Sequence, residues 1–307
     1  MSDPHALSAE LVAVIVAVTD GTPRVLTLAQ APRLPSGPFA RDDRSLQSGL
    51  RNWVERQTGR RPAYVEQLYT FADRDRVRPS AGDDGGLGRV ISVSYLGLAR
   101  ESPNDPPRPN AVWRDWYSFF PWEDRRGPAV TAPAEALAAW AEARPAAGRQ
   151  DAKRRVAFAF ASGEAWNEDL ALARYELLHE AGFVAEAHRN RPAAGPTFGL
   201  PMPDDHRRIL ATAIARLRAK IKYRALVFEL MPDEFTLLDL QRTIEALSGR
   251  NLHKQNFRRL IAAQDLVEDT GRLSAVARGR PAKLFRFRGA VVEERALATT
   301  RLPLARS

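Results

Sequence analysis

Apolar positions recur along this chain with two periods, and the switches between them mark out its elements. From Leu11 to Val18 the sequence LVAVIVAV is an unbroken, largely β-branched run. Asp20-Gly21 signals a turn and Val25–Leu28 resumes the apolar run, which predicts a hairpin. A loop rich in Pro and Gly follows at 31–39. Leu46, Leu50, Trp53 and Val54 then fall at helical spacing, and Gly59 ends that helix. Tyr64–Phe71 and Arg89–Ala99 read as strands on either side of a charged, Gly-rich loop from Asp73 to Leu87. Trp113, Trp116, Tyr117, Phe119, Phe120 and Trp122 form an aromatic cluster, expected chiefly as core or interface packing because aromatics dominate both. An Ala-rich helix is predicted over 133–144, a polar connector over 145–153 and a strand over Val156–Phe160. Asn167 is placed to cap a helix over Glu168–Ala181. The Pro/Gly-rich stretch 189–203 is the best linker. Asp204-Asp205 then open a long helix with Ile209, Leu210, Ile214, Leu217 and Ile221 on one face.

The C-terminal pattern is the most informative. Thr236 and Asp239 stand at capping-box spacing, and Leu237, Leu240, Ile244 and Leu247 follow at helical intervals until Ser248-Gly249. A second short helix is predicted over Leu252–Gln264, with Leu252, Phe257, Leu260 and Ile261 inward and Lys254, Gln255, Arg258 and Arg259 largely on the other side. Two short helices around a tight Gly-bearing turn suggest helix-turn-helix. Leu266-Val267 and Leu284–Phe287 then read as a hairpin with a basic tip, and the combination describes a winged helix.

Charge sharpens this reading. The 307-residue chain carries 46 Lys/Arg and 37 Asp/Glu, a formal net charge of +9. Residues 206–288 hold 18 basic and 8 acidic side chains, a net of +10, which leaves the remainder close to neutral. A basic module on a near-neutral body is suited to a phosphate backbone. The chain has no cysteine, which excludes disulfides and thiolate metal sites. The sequence offers no membrane-spanning run and no basic n-region at its start, so a cytoplasmic protein is expected. The five histidines are scattered, and no nucleophile stands in a catalytic context.

The N-terminal order of strands, Gly-bearing loop and helix, with YVEQLYTF and GRVISVSYLGL in place, resembles the Nudix fold. Together with FTLLDLQ, NFRR and GRPAKLFRF, it makes the whole chain similar to the Nudix-related transcriptional regulators of NAD metabolism, in particular the alphaproteobacterial branch that represses de novo NAD synthesis genes. The resemblance implies an α+β chain: a Nudix-like mixed-sheet α/β/α sandwich followed by a winged helix-turn-helix domain. The expected divisions are an effector-binding body over 1–188, a linker and long coupling helix over 189–222, and a DNA-binding domain over 223–307. It also implies a homodimer, a double-stranded DNA operator, and an NAD-related effector such as NAD, ATP or ADP-ribose, with no resident cofactor.

The Nudix signature ends in R-E-U-x-E-E-x-G, whose glutamates bind Mg²⁺. Aligning its last glycine on Gly59 puts Trp53, Arg56 and Gln57 where the three carboxylates belong. Glu55 is one residue away and points about 100° off. The expectation is therefore a sensor and not an enzyme; the alternative is a Mg-dependent Nudix hydrolase acting on ADP-ribose or a similar diphosphate. A pocket without metal needs cations for phosphate and flat apolar surfaces for bases. The candidates for effector binding are Phe39, Arg41, Glu66, Phe71, Arg74, Arg76, Arg89 and Trp116, with Glu66 either a ligand carboxylate or an arginine's partner. Those for DNA are Thr236, His253, Lys254, Gln255, Asn256, Arg258 and Arg259, with Arg278, Arg280 and Lys283 on the wing. No metal site is expected.

Overall fold

The computed structural model describes residues 7–62, 64–72, 77–79, 87–102, 104–161, 163–188, 192–193, 195–274 and 281–289. Strands β1 (Leu7–Thr19), β2 (Thr22–Leu28) and β3 (Ser36–Pro38) lead into helix α1 (Leu46–Thr58). Strands β4 (Tyr64–Phe71), β5 (Val77–Pro79), β6 (Leu87–Leu98) and β7 (Ala111–Asp115) complete a seven-stranded mixed sheet. Its main order is β4-β6-β1-β2-β7, with β3 against β1 and β5 against β6. The β1–β6 pair is parallel and the other pairs are antiparallel.

β1 is apolar without interruption because both its faces are covered. Leu11, Ala13, Ile15 and Ala17 turn toward α1, where Leu50 and Val54 close a small core with Leu26, Val93 and Tyr95. Val12, Val14 and Val16 turn the other way, into a larger core built with the helices that follow. α1 is a well-terminated helix: Ser45 caps it with Ser48 in reciprocal hydrogen bonds, and Gly59 closes it at φ 73°.

The second helical layer comprises α2 (Ala132–Glu142), α3 (Ala146–Ala159), α4 (Ala171–Glu180) and α5 (His206–Ile221). α3 corrects the connector expected at 145–153 and the strand expected at Val156–Phe160. The short run VAFAF imitates a strand, but Ala152, Val156 and Ala159 are buried at helical intervals, and the preceding residues are good helix formers. Asn167 does cap, but it caps a 3-10 turn at Glu168–Leu170 that precedes α4.

α6 (Leu237–Ser248), α7 (Lys254–Gln264), β8 (Val267–Leu273) and β9 (Lys283–Phe287) follow a 3-10 stretch at Ala225–Leu230. Thr236 caps α6 with Asp239 as a full capping box, and Gly249 ends it at φ 71°. β8 and β9 pair antiparallel from Val267 opposite Phe287. Phe235 adds a bridge to this hairpin by exchanging backbone hydrogen bonds with Phe285, at 3.0 and 2.8 Å. Phe228 stacks on Phe287 with centroids 4.2 Å apart. The result is a winged helix.

One apolar cluster runs from β1 through α4 and α5 to Leu240, Phe257 and Ile261. α5, part of the segment expected to link and couple, is its central helix: Ile209, Leu210, Ala211, Ala213, Ile214 and Leu217 are all buried. α5 packs on β4, β6 and β1 as well as on α6, and α6 itself reaches β1 and β2. Among the described residues, no helix is long and apolar enough to cross a membrane.

Candidate nucleic-acid interface and effector site

α7 buries Phe257 and Ile261 against the core and exposes nearly everything else. His253 precedes its first turn without making a side-chain cap, and Lys254, Gln255, Asn256, Arg258 and Arg259 are all exposed. Leu260, expected inward, is 56% exposed, because the burial stripe of this short helix is only wide enough for the i, i+4 pair. Leu252 lies just before the helix, half-buried, its N–H donating 2.8 Å to Glu245. Among the described residues, Lys254, Arg258 and Arg259 have no ion-pair partner.

Most of the other described cations of this region are engaged; Arg224 and Arg242 are exposed without an ion pair. On the wing strands, Lys283 pairs with Asp269 at 2.7 Å, Arg286 with Glu268, Arg272 with Glu234, and Arg288 with Asp265. Arg278 and Arg280 lie outside the described residues. Thr236, a candidate DNA contact, spends its hydroxyl on the α6 cap, donating to and accepting from Asp239. The basic side chains of α5 are neutralised by acids from other elements: Arg207 by Glu186, Arg208 by Glu176, Arg216 and Lys220 by Glu66, and Arg218 by Glu123. The +10 of residues 206–288 therefore overstates the charge offered to a polyanion, and of the five described Lys/Arg side chains left without an ion pair, three, Lys254, Arg258 and Arg259, lie together on α7.

The helix-turn-helix turn is bolted to the body. Glu123 is wholly buried between Arg174 and Arg218. Arg218 Nε also donates 2.8 Å to the carbonyl of Leu247, and the Tyr117 hydroxyl donates 2.7 Å to that of Ala246. Burial alone would push the Glu123 carboxyl up, but the two guanidiniums overcome it and hold it below the ordinary glutamate range. Arg125 N–H donates 2.8 Å to the Gly249 carbonyl, and Asn251 Nδ2 donates 2.8 Å to that of Arg126.

Several effector candidates gather at one end of the sheet. Phe39 N–H donates 2.9 Å to Ala9, Arg89 lies opposite Leu7 in the β1–β6 register, and Phe71 lies opposite Ser92. Phe39 is 37% exposed and Arg41 is exposed beside it. Glu10 is buried at this end, accepting 3.1 Å from Ser92 Oγ. Sequence reasoning passed over Glu10; the signal was a carboxylate at the head of an otherwise apolar strand. Arg74 and Arg76 lie outside the described residues, as does the side chain of Arg89.

Three effector candidates are engaged in packing or ion pairs, and for Glu66 this is the second of the two roles expected of it. Trp116 has no exposed surface and packs edge-on to Tyr117, so it is core and has no face for a ligand. Phe71 is 3% exposed, lies in the larger core and sits under the Arg208 guanidinium. Glu66 is a cation's partner: it accepts from Arg216 at 3.2 Å, from Lys220 and from the Tyr64 hydroxyl. Burial pushes Glu66 up, yet these hydrogen bonds hold it below its usual value. Tyr64 is pushed up to about 12 by burial and by the same carboxylate.

Trp53, Arg56 and Gln57 of α1, the positions expected from the signature alignment, build another construction. Trp53 lies on Gly37, where a Cβ would meet the indole at 2.2 Å, and its Nε1 donates 2.8 Å to Pro38. Arg56 stacks on Trp53 at 4.2 Å. Gln57 both accepts from the Ser36 N–H, at 3.1 Å, and donates to the Ser36 carbonyl, at 2.8 Å. Glu55 pairs with Arg61 at 2.7 Å. An indole, a guanidinium and an amide supply no anionic oxygen, so these residues do not fit a divalent cation. Among the described residues, no group of three or more His, Asp or Glu side chains could hold a metal ion.

Residues 227–287 match the NrtR DNA-binding winged helix domain. A curated relative, the ADPR responsive transcriptional repressor NtrR of Acinetobacter baylyi, is 44% identical over 88 residues, covering 29% of this chain and 35% of that protein. The match thus spans about a third of that relative's length. The crystal structure of Shewanella oneidensis NrtR complexed with a 27mer DNA superposes with a TM-score of 0.52 and 20% identity, over 93% of this chain and 95% of that one. A MutT/nudix family protein from Enterococcus faecalis superposes with a TM-score of 0.50 and 16% identity, over 94% and 89%. At these identities the superpositions establish the fold alone: a Nudix-like body carrying a winged helix of the NrtR type.

Proposed function

We propose that this chain is a DNA-binding transcriptional repressor of NAD biosynthesis genes that senses an NAD-related nucleotide, foremost ADP-ribose, through its Nudix-like body. The carrying observation is α7: an exposed helix of a winged helix whose Lys254, Arg258 and Arg259 are unpaired while the cations of α5 and the wing strands are committed elsewhere. Free cations on an exposed helix can displace counterions from phosphate, and Gln and Arg can read base edges. The choice of ADP-ribose over NAD or ATP follows the curated relative's described response.

The chain acts as a homodimer in this reading, because one short helix offers few base contacts and a twofold protein answers a twofold operator. The effector enters at the sheet end bearing Phe39, Arg41, Glu10 and Arg89, and shifts operator affinity by binding one arrangement of the dimer better than another. Trp53, Arg56 and Gln57 support a non-hydrolytic role, since the signature helix is given over to packing and to fixing β3. The test is a titration of the full chain with DNA from its own upstream region at two salt concentrations, with and without ADP-ribose, NAD and ATP. Specific, salt-sensitive binding that one nucleotide shifts is expected. Absence of specific binding under every condition, or Mg²⁺-dependent cleavage of ADP-ribose, would overturn the reading.

A further inference from the structure

The cations of α7 do not all face the same way, and this divides them by task. At about 100° per residue, Phe257 and Ile261 lie about 40° apart, and the line between them marks the buried direction of the helix. Arg259 lies about 180° from that line and points straight out, and Gln255 lies about 140° from it, within about 40° of the outward direction. Lys254 and Arg258 lie only about 40° and 80° from it, on one flank. Ala262 and Ala263 are exposed in the next turn. The outward strip of α7 is therefore Gln255, Arg259 and Ala263, with Asn256 and Ala262 at its two edges about 60° from the outward line: Gln255 and Arg259 are the polar side chains nearest its centre, and the alanines are too small to hold the helix away from a groove.

Resting on the functional reading above, we propose that Gln255 and Arg259 set the base specificity of this protein, while Lys254 and Arg258 bind phosphate without regard to sequence. Outward residues of a helix lying in the major groove meet base edges, and flanking residues meet the backbone that walls the groove. Gln pairs its amide with adenine N6 and N7, and Arg its fork with guanine O6 and N7. Gln255 and Arg259 are four residues apart, a rise of about 6 Å, against about 3.4 Å per base step. The preferred half-site therefore carries an adenine and a guanine within about two base steps of each other. Lys254 and Arg258 are also four apart, on the one flank, and so follow a single phosphate strand.

The test is selection of the preferred sequence from a random duplex library by the full chain, followed by titration of that duplex and of a scrambled one. Lys254→Ala and Arg258→Ala should weaken both duplexes by the same factor and each lower the salt slope by about 0.9. Arg259→Ala should reduce the ratio of specific to scrambled affinity about ten- to a hundredfold and erase the preference for one guanine. Gln255→Ala should erase the preference for one adenine. All four side chains are exposed, and an unchanged Tm confirms that each variant is folded. If Arg259→Ala keeps the ratio, or Lys254→Ala or Arg258→Ala loses it, the division of tasks is overturned although the protein binds DNA. If the parent enriches no sequence, the functional reading itself falls, and this assignment with it.

Discussion

The Arg174 guanidinium grips the Glu123 carboxylate with two parallel bonds, Nε to Oε1 at 2.5 Å and Nη2 to Oε2 at 2.9 Å, and neither side chain has any exposed surface. Arg218 holds the same carboxylate from α5 while donating to Leu247 near the end of α6. One carboxylate thus joins the 117–126 segment, α4, α5 and the helix-turn-helix turn.

Removing that charge should be costly. Glu123→Gln leaves two buried guanidiniums facing a neutral amide, and a loss of roughly 3–5 kcal/mol is expected from denaturant titration. The acid dependence has a definite sign. A carboxyl whose folded value lies below its unfolded value contributes fully above the unfolded value, about 4.5, and loses that contribution as pH falls through the folded value. The parent should therefore lose stability increasingly below about pH 4.5, and Glu123→Gln should lose less over the same range. Equal acid slopes in the two proteins would refute the assignment.

Gly249 answers for the geometry of the turn. At φ 71° its missing Cβ would lie 2.2 Å from the Glu123 carbonyl oxygen and 2.9 Å from the Tyr117 hydroxyl. A backbone carbonyl cannot swing aside as a side-chain tip can, so Gly249→Ala combines left-handed strain with a clash. A loss of at least about 2 kcal/mol is expected from the strain and overpacking together, with DNA affinity falling because the α6–α7 angle shifts. Thermal unfolding and the DNA titration would show both; wild-type values in both would contradict the packing described.

The pairing pattern predicts unequal salt effects. Lys283 and Arg286 face Asp269 and Glu268 across the hairpin, so releasing them to phosphate also strands an acid. Lys283→Ala and Arg286→Ala should each change the slope of log affinity against log salt by clearly less than the roughly 0.9 expected for Arg258→Ala. Slopes that fall as far for the wing-strand variants would show that these pairs open on DNA.

The sheet-end assignment is tested by ligand-dependent melting. A nucleotide present at about a hundred times its Kd should stabilise the protein by about 2.7 kcal/mol. Phe39→Ala and Arg41→Ala should reduce that gain at a fixed nucleotide concentration. Trp116→Phe should lower the melting temperature with and without nucleotide while leaving the gain between them intact. The opposite pattern would return Trp116 to the site.

The sequence made some of this plain and hid the rest for physical reasons. The capping box at Thr236 and the Gly249 stop are local signals, and each is where the spacing put it; of the apolar positions expected inward on the next helix, Phe257 and Ile261 are buried while Leu260 is exposed. α3 was misread because a five-residue apolar run fits either period, and only its packing partners decide. The α5 cations read as part of a basic module because sequence shows charge but not its neutralisation; Glu66, Glu123, Glu176 and Glu186 all lie earlier in the chain. Trp116 looked available because an aromatic cluster gives no hint of which rings face inward. Glu10 and the Phe235–Phe285 bridge depend on strand register, which no local pattern encodes.

The apolar cluster that runs unbroken from β1 to Ile261 gives the reading head no swivel of its own. A helix that packs on both the sheet and the winged helix cannot tilt without dragging each with it. In a twofold pair, the gap between the two α7 helices is then set like the jaws of a caliper, by how the frames meet and not by bending at the tips. On the proposed function, a nucleotide bound at the sheet end acts on DNA by resetting that gap, and operators whose half-sites are spaced differently should respond to it differently.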